Sequence, residues 1–103
     1  MSLLREGRYT EAEKLEGEVV EREARGQGPD APATALAVYN LACIEAVAGK
    51  AQAALGHLRH AVEHGLSTST LLGMETDADL KSLHGDSRFK ELVVLAKERT
   101  AKH

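Results

Sequence analysis

Three histidines, His57, His60 and His64, stand at i, i+3 and i+7. On a helix that spacing keeps them within about 60° of one another around the axis. Imidazoles so placed could hold zinc or copper, and His60 with His64 has the i,i+4 spacing of helical metal sites. The segment adds no cysteine, and Glu63 is its one acid able to share the face. The set therefore stands as a metal alternative beside a plainer reading, a partly solvated basic face with His64 near the helix C-terminus. Cys43 would need a base to act as a nucleophile. Its helical neighbours Tyr39, Asn40 and Val47 offer none, which leaves a small buried or groove-lining role. Ser67, Thr68, Ser69 and Thr70 could be phosphorylated, but hydroxyls ahead of a helix are caps. Glu75, Asp77 and Asp79 hint at calcium, yet the loop lacks the glycine and the later bidentate acid of a calcium-binding loop. Walker, dinucleotide, Gly-x-Ser-x-Gly and paired-cysteine patterns are all absent. The expectation is a non-enzymatic chain with no cofactor and no resident metal.

The length of 103 residues fits one small domain. Thirteen basic against sixteen acidic residues give a net charge of −3, which argues against nucleic-acid binding by bulk charge. Tyr9, Tyr39 and Phe89 are the aromatic residues and there is no Trp, leaving little for base stacking or an aromatic cage. No apolar run approaches the ~20 residues of a membrane span. A single cysteine and no leader-like opening point to a reducing, cytoplasmic setting.

Helical periodicity dominates. Tyr9, Ala12, Leu15, Val19 and Val20 form one stripe, predicting a helix from Tyr9 to about Arg25 whose glutamates make a solvated face. The glycine- and proline-rich stretch from Gly26 to Pro32 ends it. A second helix is predicted from Pro32 or Ala33 to Ala48, stopping at Gly49. A third runs from Ala51 to His64, stopping at Gly65. A short capped helix follows Ser67, and a capped turn or two follows Asp77. A last helix runs from Ser87 to about Thr100, burying Phe89, Leu92, Val93 and Ala96. The fold class expected is all-α, an antiparallel helix-pair stack with C-terminal capping helices. Residues 1–66 carry one and a half helix pairs, and 67–103 form the capping segment.

Gly7 to Ala12 and Gly49 to Ala54 align at an offset of 42 residues. Around the second, Tyr39, Ala42, Gly49, Ala54, Leu58 and Ala61 resemble the tetratricopeptide repeat (TPR), in which small residues sit at helix crossings. The linker Gly28-Pro29-Asp30-Ala31-Pro32 is similar to that of the 42-residue variety in kinesin light chains and many bacterial proteins, with Ala31 replacing a histidine. The tail around Thr76, Asp77, Leu80, Asp86, Phe89 and Leu92 looks like the closing segment of such arrays.

That resemblance implies an α-solenoid scaffold that binds protein, with a short concave groove for a peptide segment of a partner. The groove residues would be Leu36, Tyr39, Asn40, Cys43, Ala46 and Val47, with Tyr39 and Asn40 as anchors. Contacts in it should be mainly apolar, supplemented by backbone hydrogen bonds. Because repeat arrays need about three units, the alternative is a structural element: the end cap of a larger repeat protein, or a homodimer covering its own open face.

Overall fold

The computed structural model describes residues 9–28 and 31–101. Helix α1 spans Tyr9–Gln27, α2 Pro32–Val47 and α3 Ala51–Glu63. After them come the short α4, Thr68–Gly73, two 3₁₀ segments, Met74–Thr76 and Ala78–Leu83, and α5, Ser87–Ala101. The described residues are helical with no strand, so the all-α expectation holds.

Helix α2 is apolar around most of its circumference because it is enclosed: α1, α3 and the second 3₁₀ segment all pack against it. It buries Ala35, Val38, Tyr39, Ala42 and Ala46, while α3 contributes an ordinary single stripe of Ala54, Leu55, Leu58, Ala61 and Val62. Alanines at the α2–α3 contact let the two backbones approach closely. Met74, Leu80, Leu83, Phe89, Leu92 and Ala96 enter the same core from the C-terminal third. Val93 is only half-buried, at the edge of that stripe.

The ends of α2 and α3 follow from glycine. Gly49 and Gly65 take φ of 84° and 104°, left-handed values that L side chains resist. With Gly49 in that state, Lys50 N donates to Glu45 O at 2.8 Å and Gly49 N to Ala46 O at 3.2 Å, closing the last carbonyls of α2. Leu66 N does the same for Ala61 O at 3.3 Å. Ser67 Oγ accepts from Thr70 N, and Asp77 Oδ1 accepts from Asp79 N at 3.0 Å. Asp77 itself is extended (φ −68°, ψ 119°) and separates the two 3₁₀ segments. The capped turns expected there are consequently 3₁₀ rather than α.

A polar pair links α2 to α3. Glu45, only 6% exposed, reaches from α2 to α3, where His57 Nδ1 lies 2.6 Å from its Oε1. With Glu45 as a carboxylate acceptor, His57 Nδ1 is the donor of this contact. Replacing His57 with Ala leaves that carboxylate buried without its donor, and we expect a cost of about 1–3 kcal/mol in a urea melt, partly restored by His57→Gln.

Candidate functional site

A cleft of about 270 Å³ opens over α2, walled by Glu16 of α1 and by Asp77 and Asp79 of the second 3₁₀ segment and its cap. Its floor is Tyr39, Asn40, Cys43 and Ile44. The carboxylates are brought there by the fold, because Asp77 lies 38 residues beyond Tyr39. Capping fixes Asp77 through Oδ1, and Ser82 Oγ donates to Ala46 O at 3.2 Å, tying the 3₁₀ segment to α2. The other oxygen, Oδ2, accepts from the Tyr39 hydroxyl at 2.6 Å and sits 4.0 Å from Cys43 Sγ.

This environment shifts Tyr39, Cys43 and Glu16 toward their protonated forms. Burial, followed by the Asp77 hydrogen bond, pushes the Tyr39 hydroxyl well above the ordinary phenol range. Burial, then the negative charges of Asp77 and Asp79, pushes the Cys43 thiol up to about 12, against a smaller lowering from its hydrogen bond with Tyr39. Burial also raises the Glu16 carboxyl above its usual value. A thiol and phenol held in this way are poor nucleophiles at neutral pH.

The expected groove residues divide into three sets. Asn40 and Cys43 line the cleft. Tyr39 is 5% exposed, so its ring belongs to the core and its hydroxyl end is spent on Asp77. Ala46 is buried, with its carbonyl taken by Ser82. Leu36 and Val47 remain 46% and 37% exposed, and with Asn40 they share one face of α2, since i, i+4 and i+11 fall within about 40° around the axis. The groove is also more acidic than its α2 residues alone suggested. Glu16, Asp77 and Asp79 were missed as wall residues because nothing local in the sequence joins them to Cys43; the cap at Asp77 was the one available signal.

Potential cation ligands behave differently from their spacing. His57 turns to Glu45, and the rings of His60 and His64 stack with centroids 4.3 Å apart, so the three imidazoles do not share one target. The donors that do converge are Cys43 Sγ and one oxygen each from Asp77 and Asp79, all within 4.8 Å. Both oxygens of Asp77 are already engaged, and the thiol is protonated at neutral pH. A metal there would have to displace that proton and compete with Tyr39. Glu75, the third acid of the calcium-like run, pairs instead with Lys97 at 2.9 Å. Among the described residues no helix is long and apolar enough to cross a membrane.

A family model described as "A/B hydrolase-like, N-terminal domain" matches residues 4–103. No curated protein and no solved structure matches the chain. The family match overturns the resemblance to the tetratricopeptide repeat, and with it the assignment to the kinesin-light-chain-like variety and to an array-closing segment. The features behind that resemblance are general ones. A glycine in left-handed conformation ends many helices, and alanines occur wherever two helices pack closely. This chain belongs to the A/B hydrolase-like, N-terminal domain family.

Proposed function

We propose that this domain is a non-catalytic docking module whose cleft over α2 receives a segment of an A/B hydrolase-like domain. The observation that carries the reading is the outer face of α2. An otherwise enclosed helix leaves Leu36, Asn40 and Val47 exposed in one line beside the cleft. The partner segment places apolar side chains on Leu36 and Val47 and hydrogen-bond donors toward Asn40 and the carboxylates of Glu16 and Asp79. In this reading α1, α2 and α3 stack as antiparallel neighbours and supply the shallow concave side.

Two further facts support it. The family description places such a domain N-terminal to the hydrolase-like part. The chain has neither Gly-x-Ser-x-Gly nor, among the described residues, the strand that must precede a nucleophile elbow. The test is calorimetric titration of this chain with an A/B hydrolase-like domain from a protein in which the family stands N-terminal to it. Leu36→Glu with Val47→Glu is expected to weaken binding about a hundredfold by replacing buried apolar contact with charge. Asn40→Ala is expected to weaken it about tenfold. Both changes lie on exposed positions and leave the core intact. Unchanged affinity in the double variant overturns the reading, as does a homodimer that persists on dilution and covers Leu36 and Val47.

A further inference from the structure

Helix α5 carries two seams. Phe89, Leu92 and Ala96 face the core. Lys90, Val93, Val94 and Lys97 stand at i, i+3, i+4 and i+7 and form a separate stripe. Val94 is 55% exposed, a large apolar side chain that no element among the described residues covers. This stripe is one wall of the larger cleft, about 410 Å³, which is completed by Phe89, His84 and Glu75.

Three features of that cleft point to a ligand. The first is its apolar surface: Val93, Val94 and Phe89 line it together, in a volume within the range of small-molecule sites. The second is charge. Lys97 is paired with Glu75 at 2.9 Å, whereas Lys90 has no ion-pair partner among the described residues, so the lining carries an uncommitted positive charge. The third is His84. Its ring packs against Phe89 with centroids 5.2 Å apart, and Nε2 is buried with no hydrogen-bond partner among the described residues, a costly state for a polar ring atom. An apolar wall, a free ammonium and an unsatisfied imidazole nitrogen together match one chemical class, an acid with a hydrocarbon body.

We propose that this cleft binds a small amphiphilic carboxylate, its hydrocarbon against Val93, Val94 and Phe89 and its carboxylate facing Lys90. A ligand that eases the His84 ring away from Phe89 also gives Nε2 the partner it lacks. The cleft shares no residue with the one over α2, so this inference stands or falls apart from the docking reading.

The experiment is a titration of the ¹⁵N-labelled chain with sodium octanoate below its micellar concentration, alongside 1-octanol and octylammonium. Octanoate is expected to move the amide signals from Lys90 to Lys97 and the ring signals of His84. Octanol should bind there about tenfold more weakly, lacking the charge-assisted contact, and octylammonium more weakly still. Lys90→Gln is expected to weaken octanoate about tenfold and leave octanol unchanged. Val94→Glu, at an exposed position that folding does not depend on, should abolish binding of both. Equal binding of octanoate and octanol overturns the proposal. So does an unaltered octanoate affinity in Lys90→Gln. Shifts at Leu36 and Leu72 as large as those at Val94 overturn it too, because they mark adsorption to any exposed apolar side chain.

Discussion

Leu58→Ala is expected to remove about 2–5 kcal/mol of folding stability. Leu58 is completely buried at the centre of the cluster that joins α2, α3 and the C-terminal segment. The cost depends on whether neighbours can close the space left behind, and here the means are poor. Ala42, Ala54 and Ala61, all at 0% exposure, belong to the same cluster and have no side-chain rotamers with which to fill it. A domain of this size has about 5–15 kcal/mol in total, so the variant loses a large share and its melting temperature falls on the order of 10–20 °C. Leu58→Met, which conserves volume, should cost less than about 1.5 kcal/mol. Urea melts of both variants check this. A loss below about 1 kcal/mol for Leu58→Ala would mean that α3 is not clamped between α2 and the C-terminal segment.

The second large effect concerns Cys43. At pH 8 a thiol held at about 12 is ionised to roughly one part in 10⁴, whereas an unfolded cysteine near 8.5 is about one quarter thiolate. Modification by a disulfide reagent should therefore run ~10³-fold slower in the folded chain than in urea, before counting the shielding of a side chain that is 7% exposed. Labelling at the free-thiol rate under native conditions would show that Cys43 is not enclosed beside Asp77.

The same shift makes stability depend on pH at the alkaline end. Below about pH 8.5 both folded and unfolded chains keep the thiol proton, and the contribution of Cys43 to stability is fully present. As pH rises from there toward about 12 the unfolded chain ionises first, so stability falls over that window. Tyr39, raised in the same direction, adds to the loss above the ordinary phenol range. Cys43→Ala should flatten the lower part of this limb in melts recorded between pH 8 and 11, leaving the Tyr39 part.

These expectations differ in how far the sequence alone could support them. Each helix was legible because its determinants are local. Apolar spacing marked the buried stripe of α5 but not that of α1, where Ala12 is buried while Leu15 is 49% exposed and Tyr9, Val19 and Val20 are half-buried; Gly49 and Gly65 ended α2 and α3, and Ser67 and Asp77 announced caps. Such features act within a turn or two of the chain, so their meaning does not depend on the rest of the molecule.

Family membership was not legible in the same way. Glycine-ended, alanine-rich helix pairs obey packing rules common to many folds, and those rules carried the pattern to the wrong family.

The sequence by itself determined the all-α class, the order of the helices and the core-facing side of α5. Only the tertiary structure decided what Cys43, Tyr39 and His57 meet. Their partners lie 34, 38 and 12 residues away, on elements whose approach no periodicity records. The physical reason is that a helix is specified by neighbours a turn away, whereas the electrostatics of a cleft depend on which separate surfaces the shared core brings together.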